Sequence, residues 1–129
     1  MIIDTSAMVA ILYGEPEAAA FAQLIHDAET CRISVANYVE LAMVIEKQLG
    51  PEGMQQADAF FRRAAIGIEP VTVEQGHLAR HAFLDFGKGR HKASLNYGDC
   101  FAYALAKDTG EPLLFKGNDF SETDIRSAT

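Results

Sequence analysis

Four carboxylates stand out by where they fall. Asp4 closes a short apolar run, Met1-Ile2-Ile3. Glu40 interrupts the apolar positions Ala36, Met43 and Val44 of a helical segment. Asp99 lies in the first turn of a helix that opens near Gly98. Asp119 follows a last apolar run, Leu113 to Phe115, after a Lys116-Gly117-Asn118 turn. Each of three has an ordinary structural explanation. Asp99 at a helix start gains about 0.3–1 kcal/mol from the macrodipole. Asp119 suits a turn, and Asp4 is placed to cap the helix that follows it. Glu40 is harder to account for, because an unpaired buried carboxylate needs a cation, a metal or a proton. No Lys or Arg lies within one helical turn of it, and Lys47 is nearly two turns away.

Clustered carboxylates without a local basic residue are how a site for Mg²⁺ or Mn²⁺ is built, since these hard cations take oxygen ligands. One or two such ions lower the pKa of a bound water, clamp a phosphodiester and stabilise the leaving oxygen. Other chemistries are spelled less well. Gly110 and Gly117 are isolated and form no G-x-x-x-x-G-K-[ST] loop. His77 and His81 share a helical face with Glu74 a turn earlier, but lack H-E-x-x-H and a third ligand. Asp119-x-Ser121-x-Thr123 resembles an EF-hand start, with Asp124 where that loop requires Gly.

The elements that must position these acids follow from periodicity and stop signals. Met1–Asp4 reads as a buried strand. Thr5 or Ser6 caps a helix to Tyr13, and Pro16 opens another to Asp27. Residues 32–34 form a second strand. Helices follow over 36–49 and 52–65, separated by the Gly50-Pro51 stop. Residues 66–71 form a third strand, 72–86 a helix, 87–95 a polar loop, 98–109 a helix ending at Gly110, and 113–115 a fourth strand before a polar tail. Strands alternating with helices predict parallel pairing, and short unalternating strands predict a sheet covered on both faces. The expected fold is therefore a single α/β domain over residues 1–129, a three-layer α/β/α sandwich. Ligands of such sheets bind beyond the carboxyl ends of the strands. Asp4, Asp99 and Asp119 lie at or close to that edge, and Glu40 is within reach of it.

Composition bounds the rest. The chain has 129 residues with 49% hydrophobic and 22% charged content, as an ordinary globular protein does. No apolar run approaches the roughly 18–20 residues that cross a bilayer. The start, Met1-Ile2-Ile3-Asp4, has no basic region, which predicts no signal peptide. Cys31 and Cys100 stand alone and predict two buried thiols in a cytoplasmic protein. Eighteen acids against 11 basic residues give a net charge of −7, which at face value argues against a nucleic-acid partner. The charge is uneven, however. Arg80, Lys88, Arg90 and Lys92 face only Asp85 within residues 80–92, making that window +3 and the remainder −10. These four are candidate contacts for a nucleic-acid backbone beside an acidic metal site, with a plain solvated loop as the alternative. The aromatics, Phe83 and Phe101 among them, are expected in the core, while Tyr97 and Phe120 flank the acids.

Met1-Ile2-Ile3-Asp4-Thr5-Ser6, then Glu40 in a helix, then Asn96-Tyr97-Gly98-Asp99-Cys100-Phe101-Ala102, then Leu114-Phe115-Lys116-Gly117-Asn118-Asp119-Phe120 resembles the PIN-domain ribonucleases. The nearest type is the VapC toxin of bacterial toxin–antitoxin pairs. The likeness spans essentially the whole chain in order. It implies Asp4, Glu40, Asp99 and Asp119 as the catalytic site for Mg²⁺ or Mn²⁺, with Ser6 a nearby hydroxyl and Asp124 an accessory acid. It further implies endoribonuclease activity through metal-activated water, a homodimer, and neutralisation by a VapB-type antitoxin that inserts a basic side chain among the acids.

Two other readings compete. A haloacid-dehalogenase phosphatase wants D-x-D after its first strand, and Ser6 takes the second place here. A response-regulator receiver wants paired acids there, and has only Lys116 in its favour. In a different class, the acidic face of a catalytically silent module would simply bind a basic partner.

Overall fold

The computed structural model describes residues 1–129. Its elements run β1 (Ile2–Ile3), α1 (Thr5–Leu12), α2 (Ala18–Asp27), β2 (Cys31–Ser34), α3 (Val35–Arg63), β3 (Ile66–Glu69), α4 (Val73–Phe86), α5 (Tyr97–Thr109) and β4 (Leu113–Leu114). A 3₁₀ turn, Phe120–Glu122, follows. The strands form one sheet in the order β3-β2-β1-β4, every pairing parallel. Ile2 lies opposite both Arg32 and Leu113, and Ile3 opposite Leu114.

Neighbouring strand residues point to opposite faces of a sheet, and here each face has its own core. Ile3, Ile33 and Leu114 pack with α1, α2 and α3, alongside Met8, Leu41 and Ile45. Ile2, Leu113 and Phe115 pack with α4 and α5, alongside Leu95, Ala102 and Leu105. The result is the expected α/β/α sandwich. It also explains why the strands are apolar at consecutive positions.

The expected Gly50-Pro51 break is present inside α3. Gly50 leaves helical geometry at φ +70° and ψ −169°, a conformation that costs glycine little, and a second helical stretch starts at Pro51. One expectation needs correction. The third strand ends at Glu69, two residues early. The tail after β4 is largely exposed, as its polarity predicts. It returns beside β4, where Leu113 N–H donates to Arg126 and Ala128 N–H donates to Leu113. No helix is long and apolar enough to cross a membrane.

Strand order reverses at β1: the chain passes to β2 on one side, and β4 later pairs on the other. That is the topological switch point of an open parallel sheet, where the crevice beyond the carboxyl ends opens. Asp4 is the residue that follows β1.

Candidate metal centre at the carboxyl edge of the sheet

Asp4, rather than Thr5 or Ser6, caps α1. Its Oδ2 accepts from Ser6 N–H at 3.0 Å and from Ser6 Oγ–H at 2.6 Å. Ser6 Oγ in turn accepts from the Lys116 N–H at 3.0 Å, which ties the end of β1 to the chain leaving β4. Asp4 is only 3% exposed, and its second oxygen, Oδ1, is buried without any partner. Burial pushes this carboxyl up to about 7. The Ser6 hydrogen bonds pull the other way, and the charges of Asp99 and Glu40 push it further up.

Glu40 lies in the second turn of α3, whose first turn is capped by Ser34. Its Oε1 accepts from Thr5 Oγ–H at 2.6 Å and more weakly from Asn37 Nδ2–H at 3.4 Å. Asn37 is fully buried and donates to the Gly98 carbonyl at 2.9 Å, so it joins the start of α3 to the start of α5. The stripe expected around Glu40 is buried only in part, with Ala36 and Val44 half-buried. Met43 is 68% exposed, and Glu40 itself is half-buried. Neutral donors from α1 and α3 hold the carboxylate in place of a cation.

Asp99 completes a capping box with Asn96. Asp99 N–H donates to Asn96 Oδ1 at 2.9 Å and Asn96 N–H donates to Asp99 Oδ2 at 3.0 Å. Burial pushes its carboxyl up to about 6, with the Asn96 hydrogen bond opposing and the charges of Asp119 and Glu40 adding. Asp119 is exposed at the head of the 3₁₀ turn and makes no capping hydrogen bond. Structural and chemical roles thus coincide in Asp4 and Asp99: one oxygen satisfies the backbone, and the carboxylate still feels the other acids.

No basic side chain forms an ion pair with any of the four acids. Lys116, the nearest in sequence, turns away to Glu15 at 2.5 Å and Glu17 at 3.4 Å. No three His, Cys, Asp or Glu side chains stand close enough to make a ready-formed cage. The arrangement is an open set of acids that repel one another. Its donors are all oxygen, and the orphaned Asp4 Oδ1 is a buried acceptor that a cation would satisfy. These features fit Mg²⁺ or Mn²⁺.

Other sequence candidates are dispersed. Asp124, the expected accessory acid, is engaged by α5. It accepts from Tyr103 Oη–H at 2.7 Å and pairs with Lys107 at 2.6 Å, one and two turns along α5 from Asp99. The basic window divides, with Arg80 and Arg90 both beside Phe83 and Lys92 held elsewhere. Lys92 pairs with Glu122 at 2.9 Å, and Arg90 sits 5.9 Å from the Phe83 ring centroid and donates to the Leu84 carbonyl. Lys88 is exposed, and Arg80 lines a groove between α4 and α5. Phe120 is buried against Phe115, whereas Tyr97 is 80% exposed and Phe83, expected in the core, is 41% exposed. Sequence reading missed Thr5, Asn37 and Gly98. Asn37 precedes Glu40 by three residues on the same helical face, and that spacing is the signal that would have found it.

Residues 1–126 match the model of the PIN domain. The chain is 49% identical to Ribonuclease VapC30 of Mycobacterium tuberculosis over 125 residues, covering 97% of this chain and 95% of that protein. It is 48% identical to Ribonuclease VapC of Mycolicibacterium smegmatis, covering 97% of each. Among solved structures it is similar to M. tuberculosis VapC20, a sarcin–ricin loop cleaving toxin. The TM-score is 0.78, with 16% identity, 96% of this chain and 95% of that one covered. It is also similar to VapBC2 of Rickettsia felis bound to promoter DNA, with a TM-score of 0.76, 15% identity, and 98% and 94% covered.

Proposed function

The chain belongs to the PIN-domain family, and from that premise we propose that it is a metal-dependent endoribonuclease, the toxin of a toxin–antitoxin pair. The observation that carries the reading is Asp4: a buried carboxylate with one unpartnered oxygen, at the strand switch point, within the fields of Asp99 and Glu40.

Asp4 and Asp99 would hold the cation most directly, with Glu40 and Asp119 completing the set. A divalent ion bound there lowers the pKa of water and stabilises charge on the phosphodiester and its leaving oxygen. Ser6 fixes one oxygen of Asp4 and leaves the other free. Thr5 and Asn37 hold Glu40 toward the head of α5. Asp119, exposed at the rim, has room to meet a ligand or an ordered water.

RNA is the proposed substrate and a VapB-type antitoxin the proposed partner, with a homodimer as the assembly. A basic side chain from the antitoxin would neutralise acids that have no ion pair of their own, and the net charge of −7 favours its approach. The test is cleavage of single-stranded RNA by antitoxin-free protein with Mg²⁺ or Mn²⁺. Cleavage that disappears in a folded Asp99→Asn variant supports the reading. Absence of cleavage by the folded wild-type protein with either metal overturns it in favour of a silent acidic module.

A further inference from the structure

Between α4 and α5 lies a groove of about 440 Å³ that none of the four acids lines. One wall is the stripe Gly76, Ala79, Arg80 and Phe83 of α4, and the other is Tyr97, Cys100 and Phe101 of α5. Both stripes have the spacing of a single helical face. On an isolated soluble domain such faces are normally covered, yet Tyr97 is 80% and Phe83 41% exposed. Tyr97 stands edge-on to Phe101 at 4.9 Å between ring centroids. It shares the first turn of α5 with Asp99, so the groove begins at the same helix end as that acid, on a different side of the helix.

The wall chemistry is selective. In a chain of net charge −7, no carboxylate lines the groove, and its one charged residue is Arg80. Arg80 makes no ion pair, although acids outnumber basic residues 18 to 11 in this chain. Arg90, whose guanidinium lies over the Phe83 ring 5.9 Å from its centroid, adds a second positive charge. An apolar, aromatic slot with a cation at its wall suits a flat π-system carried on an anionic backbone. It suits a complementary apolar protein face less well, since docking one there would bury the Arg80 charge without a partner.

We propose that this groove is a nucleobase site. It receives one unstacked base flanking the scissile phosphodiester, with Tyr97 and Phe83 as the stacking surfaces and Arg80 toward a neighbouring phosphate. The assignment rests on the ribonuclease reading above and deepens it. Single-stranded RNA is recognised by splaying out bases in this manner. It gives the enzyme a means of choosing its cut site that the acids themselves do not supply.

The experiment separates the two readings. A single-stranded RNA carrying 2-aminopurine is titrated onto the cleavage-deficient Asp99→Asn protein, and onto that protein also carrying Tyr97→Ala or Tyr97→Phe. The expected result is quenching on binding, kept by Tyr97→Phe and lost by Tyr97→Ala, with affinity about tenfold weaker. Tyr97 is largely solvent-exposed, so its truncation leaves the fold intact. In parallel, abasic residues are walked across the cut site mapped with the wild-type protein. One position should raise KM about tenfold or more with little change in kcat, and Tyr97→Ala should erase that difference. RNA binding without quenching at any labelled position, or equal cleavage of every abasic substrate, overturns the nucleobase site while leaving the nuclease reading standing. Loss of self-association in Tyr97→Ala with RNA binding unchanged also overturns it, assigning the groove to a second copy of the chain. Failure of unmodified RNA to be cut by the wild type counts against the nuclease reading itself.

Discussion

The carboxylate of Glu40 occupies the space that a side chain at residue 98 would need. A Cβ on Gly98 would lie 2.2 Å from Glu40 Oε2 and 2.7 Å from Oε1. The obstacle is the far end of a flexible side chain, not backbone. Glu40 can swing aside, and Ala is favoured over Gly inside a helix by up to about 1 kcal/mol. Gly98→Ala should therefore change thermal stability little while displacing an acid of the site. We expect metal affinity, read by Mn²⁺ titration, to fall about 10–100-fold, with unfolding within about 1 kcal/mol of wild type. A variant that unfolds readily, or binds Mn²⁺ normally, would contradict the relationship.

Asp4 gives a pH prediction with a definite sign. Its folded pKa, about 7, is raised above the ordinary 3.8 by burial first, so the folded state prefers the protonated form. The stability Asp4 contributes should be fully present below about pH 4 and be lost as pH rises through about 7, in metal-free protein. Asp4→Asn keeps a good helix cap and removes the buried charge. At pH 8 without metal it should melt at least about 5 °C above wild type. At pH 4 the two should melt together, as calorimetry in metal-free buffer will show.

The same groups set how a cation competes with protons. Asp99 at about 6 and Asp4 at about 7 must both be ionised to serve as ligands. Apparent Mn²⁺ affinity should climb between pH 5.5 and 7.5, values bracketing those two by roughly half a unit, and level off above. A flat profile across that window would remove these two carboxylates from the ligand set.

Thr5 lies inside α1, yet its hydroxyl donates to Glu40 at 2.6 Å. Thr5→Val preserves shape and deletes the donor. Hydrogen bonds to charged groups contribute about 1.5–3 kcal/mol, and Glu40 is only half-buried, so the lower end is expected in chemical denaturation. Metal affinity should fall about tenfold, and Thr5→Ser should restore it. Rescue by Ser separates the hydroxyl's positioning role from a simple packing defect.

Asp124 should behave oppositely to the four acids. It braces the tail to Tyr103 and Lys107 on a partly exposed surface, where such pairs contribute up to about 1 kcal/mol. Asp124→Ala should cost no more than that and leave RNA cleavage within about twofold of wild type. A loss of cleavage as deep as that of Asp99→Asn would return it to the site.

Much of the architecture was legible because local signals and the global fold agree. The apolar strands, Gly110 after α5 and Pro51 after Gly50 mark element ends through backbone chemistry that acts over a few residues. Asp4, Asp99 and Asp119 are singled out by one rule, that chemistry in a parallel sheet gathers beyond the strand ends. Glu40 was found on a faulty premise. A helical stripe containing Met43 was read as buried, but burial depends on what packs against the helix, and nothing in the chain covers Met43.

The sequence by itself determined the order of strands and helices, the acids at the sheet edge and the family likeness, because propensity, capping and patterning are encoded within single turns and strands. Only the tertiary structure decided which groups meet. Thr5 reaches Glu40 across 35 residues, Asn37 reaches Gly98 across 61, and Ser6 reaches Lys116 across 110. Such contacts come from the crossovers that bring β1 between β2 and β4. Sequence spacing alone carries no record of them. The same packing raises the carboxyls of Asp4 and Asp99, since burial and neighbouring charge exist only once the three layers have closed.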